Sequence, residues 1–150
     1  MIKKKKGRKS RFKLWSTTQN RLIDAAKQAQ KMAYCPYSKY PVGAAVLTGS
    51  GRIFAGCNME NASFGLSICA ERSAMCAAVA HGQKVLRAVA VVARSARPCG
   101  ACRQVLLEFA EKNADILMVD FDPLRKKQKV SRLKVARCMA APFNPQEAGL

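Results

Sequence analysis

A chain of 150 residues and 16.4 kDa is the size of one compact domain. Such a domain buries roughly 70% of the surface its unfolded chain exposes and needs no disulfide staple. Hydrophobic residues at 49% and charged residues at 24% exclude a wholly disordered or fibrous chain, while 27 Lys and Arg against 9 Asp and Glu, a formal charge of +18, call for an acidic partner or a strongly solvated basic surface.

In chain order, residues 1–13 carry eight bases and no acid, and residues 1–15 read as a basic flexible tail. No apolar stretch of the kind a secretory signal uses follows it. Ser16, three residues before Gln19, resembles a capping box and predicts a helix start. Leu22, Ile23, Ala26, Ala29, Met32 and Ala33 then recur at helical spacing, ending before Pro36. Residues 42–47 and 52–57, on either side of Gly49-Ser50-Gly51, read as two strands. From Cys69 an alanine-rich run predicts a helix stopped by Gly82. Residues 86–93 read as a buried strand. Pro98 suits the first turn of a helix running to about Lys112, and residues 116–119 form a further strand. Seven bases then fall in residues 125–137. This alternation predicts an α/β fold, a three-layer sandwich with a mixed central β-sheet covered by helices. The longest apolar runs fall far short of the ~20 residues that span a bilayer, so no membrane segment is expected. Seven cysteines, an odd set without regular spacing, read as reduced thiols in a cytoplasmic protein.

Two short strings carry chemistry: Cys69-Ala70-Glu71, and Pro98-Cys99-Gly100-Ala101-Cys102. Each opens a predicted helix, where free backbone N–H groups and the helix dipole favour thiolates. Cys99 and Cys102 are three apart and share a helix face. Three thiolates suit zinc, and three protein ligands with one open position is the catalytic form of such a site. Glu71 is then the acid/base candidate, although an acid in a first helical turn is also a common stabilising choice. His81, at a helix end beside Gly82, reads as a cap.

A Cys two residues before a Glu, followed by P-C-x-x-C, matches the pattern of the zinc deaminases. With it, residues 34–46 (YCPYSKYPVGAAV), 56–62 (GCNMENA), 69–74 (CAERSA) and 98–107 (PCGACRQVLL) resemble, in order and spacing, the small nucleoside cytidine deaminases. The resemblance implies that Zn²⁺ held by Cys69, Cys99 and Cys102 activates a water that attacks the amine-bearing carbon of cytosine. Glu71 serves as base and then acid. It implies that Arg72 hydrogen-bonds ligand sulfur, that Asn58 and Glu60 bind the ribose 3′-hydroxyl, that Ala70 offers backbone contact to the base, and that Tyr40 stacks on the pyrimidine where the family usually has Phe. It places Phe143 as an aromatic lent to a neighbouring subunit's site in a homotetramer. Residues 16–150 are then a cytidine deaminase-like catalytic domain. The implied activity is hydrolysis of cytidine and 2′-deoxycytidine to uridine and 2′-deoxyuridine in pyrimidine salvage.

Four features depart from the family. Residues 93–97 are several residues shorter than the usual link into P-C-x-x-C. Phe64 stands for a frequent Tyr. The basic residues 125–137 replace a strand region, with Cys138-Met139-Ala140 following in place of Leu-Leu-Pro. The basic N-terminal run has no counterpart. Two other readings stay open at this point: a polynucleotide cytosine deaminase using residues 1–13 and 125–137 to meet phosphates, and a zinc-binding scaffold without catalysis.

Overall fold

The computed structural model describes residues 6–122, 127–145 and 147–149. Helix α1 (Lys6–Gln30) leads into strands β1 (Gly43–Thr48) and β2 (Ile53–Cys57), helix α2 (Ala70–Ala80), strand β3 (Leu86–Ala93), helix α3 (Gly100–Phe109), and strands β4 (Ala110–Asp122) and β5 (Lys127–Lys134). The five strands form one sheet in the order β2-β1-β3-β4-β5. β1 is antiparallel to β2 and β3, β3 runs parallel to β4, and β4 is antiparallel to β5.

Side chains alternate across a strand, so one sheet feeds two cores. Ala45 and Leu47 of β1 join Leu22, Ile23 and Ala26 of α1 on one face. Ala44 and Val46 join Ala74, Met75 and Ala78 of α2 and Leu106 of α3 on the other. β3 lies between both layers, and all its residues but Arg87 are buried, as expected of a central strand in a mixed α/β sheet. This is the three-layer sandwich expected from the alternation of elements. Two glycines set the layer spacing. A Cβ on Gly43 would stand 2.0 Å from the Ala26 carbonyl oxygen, and one on Gly56 would stand 2.5 Å from the Ala74 nitrogen. α1 and α2 therefore lie directly on the sheet backbone. Among the described residues, no helix is long and apolar enough to cross a membrane.

Three boundaries differ from the sequence reading. α1 begins at Lys6 rather than Ser16, so Ser16 lies inside a helix. Lys and Arg are good helix formers, and no proline interrupts residues 6–15. α3 ends at Phe109 rather than near Lys112, and β4 runs well beyond residues 116–119 in both directions. The largest correction is β5, because the segment read as replacing a strand is itself a strand. Its full register against β4 sets Lys134 opposite Asp115, Lys129 opposite Asp120 and Lys127 opposite Asp122. Opposite charges across an antiparallel pair favour the pairing, and lysines on an edge strand guard against pairing with another chain.

Candidate active site

Cys69 is the N-cap of α2 and Cys99 the N-cap of α3, both with extended backbone, and Cys102 sits one turn into α3. These two helix starts meet beside the amino-terminal end of β1 and the carboxyl-terminal end of β3, where Val42, Val91 and Ala93 share a pocket with Cys69 and Cys99, and the three sulfurs lie within 4.8 Å of one another. Cys69 Sγ is 3.7 Å from Cys99 Sγ. Four-coordinate zinc with Zn–S near 2.3 Å separates its sulfurs by about 3.8 Å, so the thiols stand at a spacing that zinc accepts. A second observation fits the same ion. Arg72 Nη2 donates to the Ser67 carbonyl at 3.2 Å, while its buried Nε has no hydrogen-bond partner. The guanidinium interacts with the Cys69 and Cys102 sulfurs, where thiolates offer that nitrogen an acceptor and a counter-charge.

Charge is shared unequally among the bare thiols. The hydrogen bond from Cys102, followed by those from Cys99 and Arg72, holds the Cys69 thiol down to about 5 against the effect of burial. The same hydrogen bond, with burial and the nearby Glu71 carboxylate, pushes Cys102 up. Glu71, only 3% exposed, lies in the first turn of α2, next but one to Cys69. Burial raises its carboxyl above the usual range, in part offset by hydrogen bonding to its own backbone N–H.

These groups open on a pocket of about 400 Å³. Cys69, Cys99 and Glu71 form its floor, and Tyr40, Asn58 and Glu60 line its wall. Asn58 ties two stretches of that wall together: its Nδ2 donates to the Tyr40 carbonyl at 3.0 Å, and its Oδ1 accepts the Val42 N–H at 2.8 Å. Glu60 Oε2 accepts the N–H groups of Tyr37 and Ser38 at 3.0 and 3.2 Å, and Oε1 accepts the Ser38 hydroxyl. The hydrogen bond from the Ser38 hydroxyl is the main cause that lowers the Glu60 carboxyl, so it stays an anion. Ala70, between Cys69 and Glu71, is fully buried and does not itself line the pocket. Phe143 lies apart from this pocket, 61% exposed, where the Gln104 side chain clamps its backbone from both sides: Nε2 donates to the Phe143 carbonyl at 3.1 Å and Oε1 accepts its N–H at 3.2 Å. The sequence reading missed Arg97, which also lines the pocket. Its one signal was its position directly before Pro98-Cys99.

Three thiols on two helix starts with a glutamate between them define the active-site architecture of a zinc-dependent hydrolytic deaminase. A model of the cytidine and deoxycytidylate deaminase zinc-binding region matches residues 16–118. The chain is 38% identical over 130 residues to a cytidine deaminase of Sporosarcina psychrophila, an alignment covering 85% of this chain and 92% of that one. Among solved structures, it resembles a cytidine deaminase from Burkholderia pseudomallei (39% identity, TM-score 0.75, 83% of this chain and 98% of that chain). It also resembles the Mycobacterium tuberculosis enzyme (37% identity, TM-score 0.69, 84% and 97%). The chain belongs to the cytidine and deoxycytidylate deaminase family.

Proposed function

We propose that this protein hydrolyses cytidine and 2′-deoxycytidine to the uridine nucleosides and ammonia, in pyrimidine salvage. The observation that carries the reading is the meeting of Cys69, Cys99 and buried Glu71 in one pocket, with the sulfur of Cys102 within 4.8 Å of the other two. Zinc held by the three thiolates supplies Lewis-acid activation of a water at neutral pH. Glu71 takes the proton that this water loses and delivers it to the ring nitrogen beside the amine-bearing carbon. It then takes the remaining proton of the hydroxyl added at that carbon and gives it to the amine, which leaves as ammonia as the C–N bond breaks, so one carboxylate acts as base and then as acid. Arg72 offsets the excess negative charge of three thiolates.

The wall of the pocket supplies recognition. The Tyr40 ring offers a flat apolar face to the pyrimidine. Glu60, an anion bound to the 37–38 turn, retains lone pairs for the ribose 3′-hydroxyl, and Asn58 acts beside it. The backbone of Ala70 meets the base. Phe143 completes the site of a second copy in a homotetramer. That role is supported by its exposure and by the apolar side chains Tyr37, Met59, Phe64 and Leu66 left open near the pocket. Seven free cysteines support a cytoplasmic location. A second reading of partners gives the basic segments nucleic-acid phosphates, favoured by eight bases without an acid in residues 1–13.

The test is loss of ultraviolet absorbance when free cytidine meets the zinc-loaded protein, with Glu71→Ala alongside. The variant is expected to bind zinc stoichiometrically and to lose turnover by about 10²- to 10⁴-fold. Undiminished turnover in Glu71→Ala sinks the mechanism. Full zinc occupancy without turnover in the parent protein sinks the substrate.

A further inference from the structure

Five residues, Arg94 to Pro98, join the end of β3 to Cys99. Ser95 in this linker has φ +55°, a left-handed conformation that residues other than glycine keep only when their surroundings hold them there. Two groups outside the linker do so. Asp120, at the end of β4, accepts the Ser95 N–H on Oδ1 at 2.8 Å. The Tyr40 hydroxyl donates to the Arg94 carbonyl, and the Arg94 guanidinium lies 5.9 Å over the Tyr40 ring. Tyr40 is itself fixed, because its N–H donates to Ser38 Oγ at 3.0 Å and its carbonyl accepts Asn58 Nδ2 at 3.0 Å. At the far end of the linker the Pro98 carbonyl accepts Arg103 Nε at 2.9 Å. The linker is thus pinned on both sides of its strained turn.

We propose that Tyr40 is a positioning residue for the thiol centre: its hydroxyl, by holding the Arg94 carbonyl, fixes where the short linker delivers Cys99. This links two features of the sequence that look unrelated. A linker several residues longer has slack, and Cys99 can be placed by α3 alone, so a phenylalanine suffices at position 40. A short linker transmits its own errors to Cys99, and the added hydroxyl removes them. The pocket's aromatic wall and one sulfur then move as one unit. The inference rests on the reading of Cys99 as a zinc ligand, and its readout does not depend on turnover.

The experiment measures zinc affinity of the full chain by competition with a chromogenic chelator, comparing the parent with Tyr40→Phe. Loss of a group that orients a ligand costs 10- to 100-fold in metal affinity, and a fall of about tenfold is expected. In the zinc-saturated protein the KM for cytidine should stay within twofold, since the ring remains, while kcat falls. With two glycines inserted after Ala96 to slacken the linker, Tyr40→Phe should change zinc affinity by less than twofold. Unchanged zinc affinity in Tyr40→Phe overturns the proposal, as does a raised KM at unchanged zinc affinity, which would assign the hydroxyl to substrate. If Tyr40→Phe fails to fold, Asp120→Ala, which removes the acceptor of the Ser95 N–H from outside the pocket, must lower zinc affinity in its place, and its failure to do so overturns the proposal. A parent that binds zinc but leaves cytidine unchanged refutes the substrate reading and leaves this comparison intact.

Discussion

The thiol centre and the β4–β5 edge both concentrate charge, and they manage it in opposite ways. At the centre, three sulfurs within 4.8 Å of one another are brought together by two helix starts, and Arg72 is the cation the structure sets against them. At the edge, the bases of β5 are spread along one strand: Lys127, Lys129 and Lys134 stand opposite Asp122, Asp120 and Asp115, while Arg132, opposite Leu117, also reaches Asp115. Asp115, 3% exposed, is the buried focus there. Arg132 Nη2 donates to its Oδ2, and Lys134 Nζ lies 2.8 Å from Oδ1 in an ion pair outside hydrogen-bond alignment. A converging site fails as a unit, whereas a dispersed ladder fails one rung at a time.

The sharpest way to break that comparison is at the centre. Cys102 is fully buried beneath the other two thiols. Cys102→Ala removes one of the three proposed ligands, and the expected loss of zinc affinity exceeds the 10- to 100-fold that loss of an orienting neighbour costs. Chelator competition measures it, with cytidine turnover lost in parallel. A zinc affinity within tenfold of the parent would mean that the sulfurs do not act together.

Asp115→Asn tests the strongest rung of the ladder. Both partner side chains are nearly half exposed, so the loss is smaller than the 3–5 kcal/mol of a fully buried pair, about 1–2 kcal/mol. For a chain of this size the melting temperature falls by roughly 3–8 °C. The sign with pH follows from the carboxyl. Burial raises its pKa, but the hydrogen bond from Arg132 and the ion pair with Lys134 outweigh burial and hold it below the ordinary aspartate value. Its stabilising effect is therefore complete above the unfolded value near 3.9 and is lost as pH falls through the lower folded one. The gap between parent and variant in thermal melts should be constant near neutrality and close below about pH 4. A gap that instead widens in acid would refute this assignment.

The same contrast explains what the sequence made legible. Cys69, Glu71, Cys99 and Cys102 sit at fixed spacings on helix starts, so their meeting follows from local geometry and from a pattern a reader can match. β1 and β3 are apolar enough to announce a buried sheet. β5 does not announce itself, because Lys127, Lys129 and Arg132 carry no strand signal and the reason they pair lies on β4, in Asp115, Asp120 and Asp122. Tyr40 was legible as an aromatic wall. Its hydroxyl contact to Arg94 was not, since it joins residues 54 apart through a turn whose left-handed Ser95 no composition reveals. The capping box at Ser16 misled for a simpler reason: a cap motif favours a helix start without forbidding a helix that already runs through it.

The mildest expected effect is at the outer rungs. Lys127 and Lys129 are exposed, and exposed ion pairs contribute little, so Lys127→Ala and Lys129→Ala together should shift stability by no more than about 0.5 kcal/mol each. The charge there serves the edge strand or a partner rather than the fold. The two roles separate in salt. If these bases and those of residues 1–13 meet nucleic-acid phosphates, the logarithm of affinity for a fluorescent single-stranded RNA falls with that of salt by about 0.7 per phosphate neutralised. Deleting residues 1–13 then flattens the slope more than the double alanine variant does, because that stretch has no acids to compete for its bases. Equal slopes in parent, deletion and double variant would leave β5's lysines with a single task, that of guarding the edge of the sheet, and would assign the excess charge of this chain to solvent.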